Sequence, residues 1–236
     1  MKNSPIYRRI YGYEMKNFIN HQDTLEDYVL LILTIAQKIL DESSAIEAPN
    51  MERVSAPYLY LRINKGARAY IYIAYNKYVS LSFPFNIKKE GYDTKLYINK
   101  INTEIGNKLI SECIAIIKQM QNNSLFIDVW MESDDPFSEI SLRIVEYLLH
   151  TEPCYLRYDY DSDNANGYIH PIHHFDINMS KIGHIKFGLY KKLTFKQFLD
   201  ILNPETNCYY LSSPLTVCNN GTKNRKKGKS KKGKKY

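Results

Sequence analysis

The order of hydrophobic patterns along this 236-residue chain predicts an α+β fold. It is an antiparallel sheet, made of two meanders and covered by helices, followed by a disordered basic C-terminal tail. Three observations predict it. Apolar residues recur at helical spacing in long segments. Two groups of three short runs alternate apolar with polar residues. The final stretch, 221–236, has no apolar residue before Tyr236. The expected organisation is a single α+β domain over 1–220 and a lysine-rich tail over 221–236.

The first helix is expected from Thr24 to Leu40. Thr24 and Asp27 have capping-box spacing, and Leu25, Tyr28, Val29, Ile32, Ile35, Ala36 and Ile39 form one apolar face. Pro49 marks the loop that follows. Three strands are expected next, at Tyr58–Asn64, Ala67–Tyr75 and Tyr78–Phe83. Leu59, Leu61 and Ile63 alternate with Tyr60, Arg62 and Asn64, which predicts a meander with one buried face.

From Ile101 to Gln121 the period returns to helical, with Ile105, Leu109, Ile110, Cys113, Ile116, Ile117 and Met120 in phase. Leu125–Met131 reads as a strand. Asp135 as N-cap and Pro136 at the first helical position open a helix through about Leu149. A second meander is then expected over Tyr155–Tyr160, Tyr168–Asn178 and His184–Tyr190, with the polar turn DSDNANG between its first two runs. A last helix runs from Thr194 to Leu202.

The formal net charge of +7 points to nucleic acid until its location is considered. Nine basic residues lie between Lys223 and Lys235, and without them the rest of the chain is close to neutral. The tail cannot bury enough apolar surface to offset the entropy of ordering, so disorder is expected there. Such a tail suits screened attraction to RNA, DNA or anionic lipid, or simply solvation.

Cys113, Cys154, Cys208 and Cys218 form no CxxC and read as idle or buried thiols, consistent with a reducing, cytoplasmic setting. No secretory leader and no transmembrane segment are expected. The apolar run Tyr28–Ala36 is too short to cross a bilayer. No glycine-rich phosphate loop, GxSxG elbow or dinucleotide fingerprint is present, which argues against NTPases, α/β-hydrolases and dinucleotide enzymes.

Four of the six histidines fall between Tyr155 and Tyr190. Residues two apart on a strand share a face at roughly 6.6 to 7 Å spacing. Arg157, Asp159 and Asp161 therefore share a side of the first run, His170, Ile172, His174, Asp176 and Asn178 of the second, and His184, Lys186 and Gly188 of the third. His173 takes the apolar side, as a hydrogen-bonded core histidine. If the runs pair in register, Arg157, Asp159, His174, Asp176, His184 and Lys186 meet on one surface.

Three chemistries suit that surface. His170, His174 and Asp176 are an acceptable set for a divalent metal, although their spacing matches no stereotyped motif. Histidines as acid and base, with Arg157 or Lys186 on phosphate, suit metal-independent RNA cleavage. The third is an exposed face of weak ion pairs without catalysis.

The run Leu156-Arg157-Tyr158-Asp159-Tyr160-Asp161, then His170-Pro171-Ile172-His173-His174-Phe175-Asp176-Ile177, then Leu193-Thr194-Phe195-Lys196-Gln197-Phe198, resembles an uncharacterised bacterial family known only as a domain of unknown function. The order RYDYD, turn, HPxxH is also similar to small bacterial toxin components of toxin–antitoxin pairs. That likeness implies an RNA-targeting or defence-associated role. Those proteins commonly continue into a proline-containing basic segment, where this chain has Ile185-Lys186-Phe187-Gly188.

Together these readings give a nuclease-like, phosphodiester-acting component of a toxin–antitoxin or phage-defence system. His170 and His174 are its acid/base groups or metal ligands, Asp176 and Asp159 orient them, Arg157 holds phosphate, and Lys186 and His184 contact substrate. RNA or DNA and a cognate antitoxin or defence-system protein are the expected partners. The alternative is a non-catalytic RNA- or protein-binding accessory subunit.

Overall fold

The computed structural model describes residues 4–19, 23–50, 56–64, 66–74, 77–90, 93–122, 125–131, 137–167, 169–178 and 185–207. The basic tail and His184 lie outside them. The fold is α+β. Strands β1 (Ile6–Arg9), β2 (Tyr58–Arg62), β3 (Arg68–Ala74), β4 (Lys77–Ser82), β8 (Leu156–Tyr160), β9 (His173–Ile177) and β10 (Ile185–Leu189) form a seven-stranded sheet in that spatial order. Every neighbouring pair is antiparallel. Strands β5 (Asn86–Glu90), β6 (Asp93–Ile98) and β7 (Thr103–Ile105) form a second, three-stranded sheet that the periodicity did not reveal.

The two expected meanders are therefore one sheet, joined where β4 pairs with β8: Lys77 opposes Asp159, Tyr78 opposes Tyr158 and Val79 opposes Arg157. Helices α1 (Lys16–Ile19), α2 (Leu25–Leu40), α3 (Asn107–Gln121), α4 (Phe126–Met131), α5 (Glu139–Leu149) and α6 (Phe195–Ile201) complete the described elements, with a short 3-10 turn at Glu42–Ser44.

Helix α2 begins as its sequence requires. Thr24 Oγ1 accepts from the Asp27 amide and the Asp27 carboxylate accepts from the Thr24 amide. Its face of Tyr28, Val29, Ile32, Ile35, Ala36 and Ile39 packs into a core with Ile110, Cys113, Ile116 and Ile117 of α3, Ile144, Val145 and Leu148 of α5, and Leu59, Leu61, Ile71, Val79 and Leu81 of the sheet. That core reaches Tyr155 just before β8 and takes in no described residue of β9 or β10.

The opposite face of the first meander, expected to be solvated, is buried as well. Tyr58, Tyr72, Tyr78, Tyr158 and Phe175 oppose one another in turn across five strands, and Phe195 and Phe198 of α6 lie on this row. Neighbouring tyrosine rings stack at 5.3, 5.6 and 5.1 Å between centroids. A tyrosine reads as half-polar in an alternation count, yet its ring covers enough apolar area to make a second core once a helix covers it. Arg62 fastens that helix by donating from Nη1 to the Leu202 carbonyl at 2.7 Å.

Three further expectations are corrected. Leu125–Met131 is helical, its first turn held by the Asp128 carboxylate on the Leu125 amide at 2.9 Å, with Val129 buried. The helix expected from Ile101 starts at Asn107, because Thr103–Ile105 pairs with β6. Asp135 and Pro136 lie outside the described residues, and the N-cap of α5 is Ser138, whose hydroxyl accepts from the Ser141 amide.

Candidate functional site

A single transverse row of the sheet runs Leu59, Ile71, Val79, Arg157, Asp176, Lys186, each opposite the next. Its first half packs under the helices. Its second half is charged, because the helix-packed core stops short of β9 and β10. The next row adds Lys77, Asp159, His174 and Gly188. These two rows are the candidate site.

Asp176 is at its centre, with a side chain only 1% exposed. Arg157 Nη2 donates to its Oδ2 and Lys186 Nζ donates to its Oδ1 at 2.7 Å. Burial alone would raise its pKa, but the hydrogen bond from Lys186 and the charges of Arg157 and Lys186 outweigh burial and hold the carboxyl below its usual range. Arg157 Nε also donates to Asp159 Oδ2 at 2.7 Å. Burial works against the guanidinium, yet Asp159, Tyr155 and Asp176 raise its pKa above the ordinary value. Lys77 Nζ lies 3.9 Å from Asp159 Oδ1. Its pKa is lowered, chiefly by burial, with Asp159 opposing and Arg157 adding to the shift.

His174 is equally buried. Its Nδ1 is 2.8 Å from the Pro171 carbonyl oxygen, which only accepts, so the network assigns the proton to Nδ1. Its Nε2 lies 3.8 Å from Asp159 Oδ2 and 3.7 Å from Asp176 Oδ2, turning a lone pair toward both carboxylates. Burial is the largest influence on this imidazole and keeps its pKa below 6.5, so it is neutral near pH 7.

His170 reaches the site by another route. The strand expected from Tyr168 begins only at His173, because Pro171 cannot donate to a ladder and the chain turns before it. His170 pairs with Asn166 in an isolated bridge. From that turn its ring meets the ring of His174 edge to face, with 4.9 Å between centroids. Its Nε2 stands 3.3 Å from Asp161 Oδ2, at ion-pair range without hydrogen-bond geometry. Its side chain is 29% exposed, but Nε2 itself is buried, so solvent reaches other atoms of the ring.

His173 takes the opposite face. Tyr158 Oη accepts from the Leu193 amide at 3.1 Å and lies 3.1 Å from His173 Nδ1, a hydrogen bond whose donor is set by the histidine tautomer. Arg157, Asp159, His170, His174, Asp176 and Lys186 thus come together. Lys77, which arrives from the first meander through β4–β8 pairing, was not legible in the sequence, whereas alternation already put Asp161, now beside His170, with Asp159 and put Gly188 with Lys186. A Cβ built on Gly188 would lie 2.7 Å from Pro171 Cγ, so a bare glycine lets Pro171 approach and present its carbonyl to His174.

Asp159, His174 and Asp176 each offer a ligand atom within 4.8 Å of the others, and the Nδ1 bond to a carbonyl is the usual support of a metal-binding histidine. Charge opposes an ion there. The two carboxylates already share Arg157, Lys186 and Lys77, and a divalent cation would have to displace an ammonium or guanidinium from Asp176. The donor set fits a metal in geometry and misfits it in charge.

No protein-family model matches the chain, and no curated protein or solved structure matches it. No helix among the described residues is long and apolar enough to cross a membrane.

Proposed function

We propose that the chain acts on the phosphodiester bonds of RNA without a metal, as a nuclease-like component of a toxin–antitoxin or phage-defence system. One observation carries this reading: two imidazoles touch edge to face on the sheet face that carries Arg157, Lys186 and Lys77. In this reading His170, whose buried Nε2 faces Asp161, takes the 2′-hydroxyl proton on Nδ1 as the 2′ oxygen bonds to phosphorus; the bond to the 5′ oxygen breaks, and that oxygen leaves with a proton from water. Arg157 and Lys186 receive phosphate charge. Asp159 and Asp176 hold the cations in place, and His174, locked in one tautomer, positions His170.

The test is degradation of RNA and DNA by wild type and by His170→Ala/His174→Ala, each with and without chelator. The expected result is RNA cleavage indifferent to chelator and reduced on the order of a hundredfold or more in the double variant. Equal background in both proteins would sink the proposal, and chelator-sensitive cleavage would transfer it to the Asp159, His174, Asp176 set. A binding role without catalysis is favoured by the extent to which Asp176 is already ion-paired. It predicts that His174→Ala leaves activity in cells unchanged while deletion from Gly221 onward abolishes it.

A further inference from the structure

The two edges of the seven-stranded sheet are treated differently. On β1, Arg8 bridges to Ala45 and the Ile46 amide donates to the Tyr7 carbonyl at 3.3 Å, so the chain covers its own edge. On β10, no described residue pairs with the outer edge. Proteins guard such edges with lysine, proline or a bulge. The one charge on β10 is Lys186, and its ammonium is engaged by Asp176. The apolar side chains remain in water: Ile185 is 48% exposed and Phe187 41%.

We propose that β10 is a dimerisation edge that pairs antiparallel with β10 of a second copy of this chain. The strand is complementary to itself about Phe187. With the two-fold axis there, Phe187 opposes Phe187 of the other copy, Ile185 opposes Leu189, and Lys186 opposes Gly188. Apolar residues meet on one face, and no two ammonium groups face each other directly. Centring on Lys186 instead would set lysine against lysine, which disfavours that register.

Because β1 is covered, growth stops at two copies, giving a closed dimer rather than a filament. The axis is normal to the sheet, so both polar clusters face the same way, with the two Lys186 Cα atoms about 8 Å apart. The contact is small, and micromolar association is its expected strength.

Sedimentation of the full chain across a concentration series tests this. Wild type is expected to pass from monomer to dimer in the micromolar range. Phe187→Glu, which sets two carboxylates across the axis, is expected to associate roughly a hundredfold more weakly. Mixing Phe187→Glu with Phe187→Lys is expected to restore a dimer holding one of each, a result that global misfolding of either variant would not give. Should Phe187→Glu fail to fold, Ile185→Lys at the strand's end is expected to weaken association in the same direction. Wild type that stays monomeric to several hundred micromolar, or a Phe187→Glu chain that dimerises as wild type does, overturns the proposal. So does a pair of opposite-charge variants that remain apart.

Discussion

The two halves of the large sheet share one hydrogen-bonded ladder and differ in what covers it. In β2–β4 both faces are dry, one under α2, α3 and α5 and the other under α6. In β8–β10 the aromatic face continues through Tyr158 and Phe175, but the helix-facing rows become Arg157, Asp176 and Lys186, then Asp159 and His174. The difference teaches that strand pairing is indifferent to side-chain chemistry. What decides whether a row is a core or a site is whether a helix lies on it. Where none does, the chain supplies charges that satisfy one another.

Four measurements press on that contrast. The largest effect is expected at Arg157. Arg157→Met keeps the length of the side chain but takes the guanidinium away from buried Asp176 and from Asp159. Loss of a buried ion partner costs about 3–5 kcal/mol in a denaturant titration. A loss under about 1 kcal/mol would mean the cluster is an ordinary solvated face.

Next comes Gly188→Ala, which brings a methyl group into the Pro171 ring. Overpacking of about 1–3 kcal/mol is expected. The His174 Nδ1 proton should also exchange faster by NMR, because the Pro171 carbonyl moves with its ring. An unaltered Nδ1 signal would break the link drawn between Gly188 and His174.

A smaller effect is the slope of stability with pH. Burial holds His174 below its ordinary pKa of 6.5, so the unfolded chain binds that proton more readily than the folded one. Its contribution is complete above about pH 6.5 and declines as pH falls, by at most about 1.4 kcal/mol per pH unit. Asp176, held below its ordinary 3.8, adds a loss only below about pH 4, as pH falls through its folded pKa. Denaturant midpoints from pH 7.5 to 5 should therefore drop in wild type and drop less in His174→Gln. His173, lowered by burial first and then by Lys192, supplies the remaining slope from the opposite face. Identical slopes in the two proteins would assign the whole effect to that face.

The smallest effect belongs to the dry half. The Tyr58 hydroxyl is buried with no hydrogen-bond partner among the described residues. Tyr58→Phe should change stability by no more than about 0.5 kcal/mol, or improve it, since nothing is left unsatisfied by its removal. A clear loss would reveal a partner for that hydroxyl.

Much of this was legible in the sequence where local rules act. Thr24 and Thr194 announce their helices through capping residues, and both capping boxes form. Alternation assigned Arg157, Asp159, His174, Asp176 and Lys186 to one face, and His173 to the other. What was not legible depends on partners distant in the chain. Lys77 looked like a turn residue because nothing near it reveals that β4 pairs with β8. His170 arrives by a turn rather than by strand alternation. The small sheet was missed because Lys88, Lys89 and Lys95 interrupt its apolar positions, Ile87, Leu96 and Ile98.

The β4–β8 seam also bears on the order in which the protein folds. It joins strands separated by the whole of the small sheet and helices α3 to α5, and long-range pairings of this kind close slowly because chain entropy is lost before contacts repay it. Lys77 meets Asp159 only across that seam. The complete cluster therefore belongs to the finished molecule, and a nascent chain that has made both meanders but not yet joined them lacks Lys77 at Asp159.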